Sequence, residues 1–297
     1  MAKAKAIIKR RKAVLNTRKI TRTMELVSTA KFKQSFNRVT NAQPYRDTLQ
    51  DMMADVAAAG AEVELPLLAR RDPARHVTVL LLTSNRGLCG SFNGHLSRKA
   101  IAVVEEHRAN GATTSLHAVG KKGISFLRFQ RVERSADYTH FGDKPRYEDV
   151  ETLANQFIDA YAKAQTDRVI VVYQRYFSAG VQRPWADVLL PITAREEQGA
   201  TAAAGASVQR ARSDYVYSPS AEELLRDLLP AYFKTTLYHV FLENVVGEHR
   251  ARMVAMKNAT DNAEEMSRIL TRKYNRARQS QITSEISEII SGAAAVS

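Results

Sequence analysis

From residue 3 to about 58 the chain carries no Gly and a single Pro, Pro44, while Ala, Lys, Arg, Met, Leu and Gln dominate. These are strong helix formers. Apolar residues recur as Ile20, Met24 and Val27, and again as Phe32, Phe36 and Val39, the spacing of a helix face. Pro44 marks a kink or interruption. Gly60 ends the pattern, and Pro66 and Pro73 bound a linker. From 76 the period changes. His76–Thr83 is a short apolar, β-branched run, followed by a Gly-rich loop and a helical stretch near 94–109. Ser115–Val119 and Arg168–Tyr173 read as further strands, and Trp185–Leu190 as a fourth. Tyr147 to Ala164 reads as a helix with Leu153, Phe157 and Tyr161 on one face. Strands alternating with helices predict an α/β layer with parallel pairing.

Residues 193–213 are rich in Ala, Gly, Arg and Glu and read as a surface loop. Ser218-Pro219 is a helix-start signal, and Pro230 predicts an early kink. Ala231 to Ile290 contains no Pro and only Gly247. Residues step along it by threes and fours: Leu242, Val245, His249, Arg252, Met256, Ala259, Ala263, Met266, Leu270, Lys273, Ala277. That is a heptad-like seam with charges intruding at Arg252 and Lys273. About 60 helical residues make a rod of roughly 90 Å, which must pack on another long helix or inside a partner. The fold expected is α/β, with the N- and C-terminal helices in a long antiparallel coiled coil and a Rossmann-like α/β domain inserted between them. The divisions fall at 1–60, 61–213 and 214–297.

Charge narrows the partners. Lys and Arg number 44 against 31 Asp and Glu, a net +13. Residues 1–38 hold twelve basic residues and one acid, Glu25, so most of the excess sits on the first helix. A basic coiled-coil adaptor that binds nucleic acid is the alternative this composition allows, since phosphate neutralisation needs only clustered Lys and Arg. Against it, no Trp or Tyr occurs before Tyr45, so base stacking is weak there. The expectation is therefore no nucleic acid.

Enzyme chemistry finds little. No G-x-x-x-x-G-K-[ST] is present, and the loop Thr83–Asn93 resembles a phosphate loop only in Gly87, Gly90 and nearby Gly94; tight turns and close helix packing explain it better. Cys89, the only cysteine, forms no internal disulfide and reads as a small packed side chain. The seven histidines show no metal-ligand spacing; His249 reads as a hydrogen-bonding seam residue. No catalytic, cofactor or metal residue is expected. No run of 18 apolar residues occurs, so no membrane span is expected, and the basic N-terminus lacks the apolar core of a signal peptide.

Four stretches together resemble the gamma subunits of F-type ATP synthases: Asn16–Lys31, the loop Thr83–Asn93, Gly120-Lys-Lys-Gly123, and Glu243–Ala263 continued by Tyr274–Ala293. The resemblance implies the layout reached from periodicity, with 1–60 and 214–297 as shaft helices and 61–213 as an α/β foot. It implies a non-catalytic rotor coupling ion flow to ATP synthesis and hydrolysis. The partners implied are three alpha and three beta subunits around the coiled coil, with the epsilon subunit and the membrane c ring at the foot. The location implied is the cytoplasmic face of the cell inner membrane, held peripherally. By resemblance Met24, Arg278, Gln279 and Thr283 face the catalytic ring, and Tyr215 and Tyr217 touch the c ring, although Ser218 stands where the family often has Glu. The chloroplast-type regulatory dithiol, which needs two cysteines, is excluded.

Overall fold

The computed structural model describes residues 2–58, 65–178, 181–192 and 220–296. Five helices and five strands follow in the order α1 (Ala2–Ala58), β1 (His76–Leu82), α2 (Phe92–Ala109), β2 (Thr113–Val119), α3 (Lys121–Phe129), β3 (Ala136–Tyr138), α4 (Tyr147–Ala162), β4 (Arg168–Tyr176), β5 (Gln182–Leu190) and α5 (Ala221–Val296). They form two compact units. One gathers Met1–Phe32, Leu88–Gly90 and His249–Ser297; the other gathers Lys33–Gly87 and Ser91–Glu248.

The second unit is built on one sheet of order β3-β2-β1-β4-β5. Strand β1 is central and pairs in parallel with β2 and β4, Val79 lying between Leu116 and Ile170. Its run Val77–Leu82 is buried throughout, as a strand covered on both faces requires. The expectation of parallel pairing fails at one edge: β5 runs antiparallel to β4. The β4–β5 link is a short hairpin rather than a helical crossover, and an apolar run alone does not encode direction. Pro184 within β5 fits an edge strand, where a missing N–H costs no ladder bond on the open side. The short elements α3 and β3 were not expected from the sequence.

On one face of the sheet, Val150, Leu153, Phe157 and Tyr161 of α4 and Leu225, Leu229, Phe233, Leu237 and Phe241 of α5 pack with Leu80, Leu82, Val169 and Val171. Helix α2 covers the other face, burying Leu96, Ala100, Val103 and Val104. Neither Pro44 nor Pro230 interrupts its helix. Buried Leu229 and Phe233 flank Pro230, and such packing holds a helix against a local cost of about 3 kcal/mol. The observed cap of α5 is Ser220, whose Oγ accepts from Glu223 N at 3.2 Å; Ser218, Pro219 and the loop expected at 193–213 lie outside the described residues.

A histidine sits half-buried against this layer. His117 on β2 lies 3.2 Å from the Tyr138 hydroxyl through Nδ1 and edge-on to Phe157. Burial holds its pKa below the ordinary 6.5. The unfolded chain therefore takes up this proton first, so stability is unaffected above pH 6.5 and falls as pH drops below it. Urea midpoints at pH 7.5 and 5.5 should fall less in His117→Phe than in the unaltered chain; equal falls would remove His117 from the acid response.

Candidate partner-binding surface

In the first unit α1 and α5 run antiparallel. The Thr21 and Thr260 hydroxyls share a buried hydrogen bond of 2.8 Å. Arg18 meets Glu264 at 3.9 Å, and the Arg250 guanidinium lies 6.0 Å from the Phe32 ring, so numbers rise on one helix as they fall on the other. The same sense holds in the second unit, where Arg46 Nη1 donates to His239 Nδ1 at 3.1 Å.

The buried side of α1 falls on a seven-residue period at Thr21, Ser28, Ser35, Leu49 and Val56, with half-buried Ala42 between Ser35 and Leu49. Its first three members are hydroxyls. Of the face read from apolar spacing, Ile20 and Val27 point outward instead, Ile20 60% exposed beside Thr21 at 8% and Val27 50% exposed beside Ser28 at 2%, while Met24, Phe32, Phe36 and Val39 are half-buried. The seam read on α5 holds at Leu242, Val245, His249, Arg252, Met256, Ala263 and Leu270, all buried. It fails at Met266, which is 44% exposed, and at the exposed Lys273. Thr260, buried, and the half-buried Ser267 and Tyr274 carry the heptad there. Small hydroxyl residues let two helices approach closely, and larger side chains are then displaced to the outside. His249, 1% exposed, lies 3.3 Å through Nδ1 from Arg252 Nη1. An arginine only donates, so Nδ1 accepts and the imidazole proton sits on Nε2.

With Thr21 opposite Thr260, α1 runs out near residue 280 of α5, which continues to Val296. Ile282, Ile286, Ile289 and Ile290 follow there at helical spacing, all exposed, Ile289 at 71%. Arg278, Gln279 and Thr283 are exposed beside them, with Thr283 Oγ1 donating to Gln279 O at 3.0 Å. Met24 is half-buried on α1. The register sets it opposite about residue 257, roughly 30 Å along the helix from Arg278. The four expected contact residues therefore form two patches rather than one. Tyr215 and Tyr217 lie outside the described residues. The isoleucine stripe was not singled out from the sequence, although its spacing was there to be read.

In the second unit the loop after β1 and the start of α3 satisfy each other. Lys121 N donates to Asn85 Oδ1 at 3.0 Å, Lys122 N to Ser84 O at 3.0 Å, and Gly123 N to Thr83 Oγ1 at 3.0 Å. The N–H groups that the start of α3 would offer an anion are engaged by the loop, so Gly120-Lys-Lys-Gly123 is a packing device. Gly120 has φ +96°, and a Cβ there would strike the Thr83 carbonyl. Cys89 is buried, as a packed small side chain should be. Among the described residues no group of His, Cys, Asp and Glu could hold a metal ion, and no helix is long and apolar enough to cross a membrane.

A family model described as ATP synthase matches residues 3–296. The ATP synthase gamma chain of Leptospira biflexa is 42% identical over 297 residues, all of both chains. This chain belongs to the ATP synthase gamma-chain family. The gamma chain of Rhodopirellula baltica is 40% identical over 296 residues, 100% of this chain and 99% of that one. In fold, the chain resembles the rotor of Euglena gracilis mitochondrial ATP synthase in rotational state 1, with a TM-score of 0.63 and 17% identity over 95% of this chain and 99% of that one. A second structure of that enzyme, an OSCP/F1/c-ring assembly in rotational state 3, matches 99% of this chain and 95% of that one with a TM-score of 0.64 at 18% identity. The chain is a central-stalk subunit of F-type ATP synthase and is not itself catalytic. It works within that membrane-associated complex. Nothing in family or fold favours the nucleic-acid adaptor.

Proposed function

We propose that the chain is a rotor shaft whose α1 and α5 ends turn inside a ring of three alpha and three beta subunits, coupling ion flow to ATP synthesis and hydrolysis. Residues 1–60 and 214–297 serve as shaft and 61–213 as foot. The observation that carries the reading is the inverted coiled coil: hydroxyls are buried in the seam, while Ile20, Leu26, Val27 and the Ile282–Ile290 stripe face out. A surface this apolar along a helix pair calls for an enclosing sleeve. Around it stand basic side chains, whose exposed pairings are worth only about 0–1 kcal/mol each, and weak contacts exchange readily as a shaft turns. In this reading Met24, Arg278, Gln279 and Thr283 face the ring. The foot binds epsilon and the c ring, with Tyr215 and Tyr217 toward the ring, at the cytoplasmic face of the cell membrane.

Tagged chain isolated gently from its native cell should bring alpha, beta and epsilon subunits in about a 3:3:1 ratio to one copy of itself. Recovery alone or with nucleic acid would sink the reading. Deleting residues from 280 onward removes four isoleucines, each worth about 1.5–3 kcal/mol when enclosed. Assembly or ion-driven synthesis in the reconstituted complex should weaken accordingly, whereas unchanged assembly and synthesis would remove the tip from the ring contact.

A further inference from the structure

An α/β sheet of this order reverses direction between β1 and β4, and the crevice outside the carboxyl ends of those strands is where such folds hold ligands. Here α5 occupies it. The β1–β4 ladder stops at Leu81 and Val172. Two residues further on, Gln174 N donates to Asn244 Oδ1 of α5 at 3.1 Å, and Asn244 is buried. One turn along, Gly247 offers a notch: a Cβ there would lie 2.6 Å from Gln174 Cγ, 2.8 Å from Gln174 Cβ and 3.5 Å from Phe92 Cε2. Phe92, the first residue of α2, is itself buried.

Resting on the rotor reading, we propose that Gln174, Asn244 and Gly247 form a torsional lock that fixes the rotational setting of α5 on the sheet, so that torque delivered to the foot turns the shaft helix rather than rolling it in its seat. α5 also meets this layer through apolar side chains such as Leu237, Val240 and Phe241 and, two to three turns before Asn244, through an ion pair of Lys234 Nζ with Glu151 of α4 at 2.9 Å. Apolar contact is non-directional and opposes rolling only weakly. A hydrogen bond weakens steeply with angle, and a glycine notch around one side chain admits one azimuth. The three residues are positioning residues; they touch no nucleotide or ion.

The test uses the full chain in the reconstituted complex in vesicles, counting ions moved per ATP hydrolysed. Asn244→Ala should speed amide exchange at Gln174 about two- to tenfold and lower the ion-to-ATP ratio. Gly247→Ala should lower the ratio too. Val240→Ala loosens the same layer without touching the lock; it should lower the melting temperature and leave the ratio in place. Assembled complexes carrying Asn244→Ala or Gly247→Ala that keep the full ratio would overturn the lock while leaving the rotor reading intact. An unaltered chain that enters no complex would overturn the rotor reading, and the lock with it.

Discussion

Gly120→Ala should destabilise the fold by about 4 kcal/mol, the sum of a disallowed backbone setting and overpacking. Gly111→Ala should lose only about 1–2 kcal/mol. Both glycines have positive φ, +96° and +83°. They differ in surroundings: nothing lies within 4 Å of a Cβ at Gly111, whereas one at Gly120 would meet the carbonyl and hydroxyl of Thr83. Thr83 has no room to yield. Its N–H donates to Val119 O at 2.9 Å, its hydroxyl donates to the same carbonyl at 2.6 Å, and its Oγ1 accepts from Gly123 N at 3.0 Å. Urea unfolding of both variants at neutral pH separates backbone strain from collision. Equal losses would mean that Thr83 moves aside.

This knot explains why two Gly-containing motifs far apart in sequence occur together. The loop 83–85 supplies the acceptors for the first turn of α3, and α3 begins at a glycine because the loop's backbone passes where a side chain would stand. The sequence alone showed the glycines and permitted a phosphate reading. Only the hydrogen-bond partners show that the N–H groups at the start of α3 are already engaged.

The long helices were legible because helix formers run for more than fifty residues, without Gly on α1 and with Gly247 alone over Ala231–Ile290, and length compensates for weak local preference. Which side is buried was legible on α5 near Leu242–Met256, where every third or fourth residue read as seam is buried, His249 and Arg252 included, and illegible on α1 near Thr21 and Ser28. There the rule that apolar residues point inward reverses, because a narrow seam takes hydroxyls and sends Ile20 and Val27 outside. That misreading coincides with the surface proposed for partners: the apolar pattern of α1 near Ile20 and Val27 lies on the exposed face. Central strands β1 and β4 were legible as unbroken apolar runs. The direction of β5 was not, since direction is set by the hairpin rather than by strand composition. Strand β3, three residues long, and α3, nine residues long, fall below the length at which periodicity can be counted.

Arg71→Ala should remove about 3 kcal/mol of stability, for reasons that concern one helix end. Helix α4 stops at Ala162 and leaves terminal carbonyls without intrahelical donors. Arg71 reaches in from the linker with both guanidinium nitrogens: Nη1 donates to Thr166 O and Nη2 to Tyr161 O, each at 3.0 Å. Its carbon centre lies 4.6 Å over the Tyr161 ring, and Asp167 stands 3.6 Å away. Asp167 in turn accepts from Arg75 N and His76 N at 2.9 Å each, fixing the entry into β1, while the Tyr161 hydroxyl donates to Ala69 O at 2.6 Å. The linker, the end of α4 and the start of the central strand thus share one cation. Each hydrogen bond to a charged group contributes about 1.5–3 kcal/mol; on truncation the Tyr161 carbonyl keeps Ala164 N as a donor at 3.1 Å. Arg71→Lys separates charge from geometry: an ammonium keeps the charge but cannot bridge two carbonyls with a planar fork or stack on a ring, so it should recover less than half of the loss. Denaturant midpoints of the three chains decide it. A lysine variant as stable as the unaltered chain would reduce the role of Arg71 to its charge at a helix C-terminus.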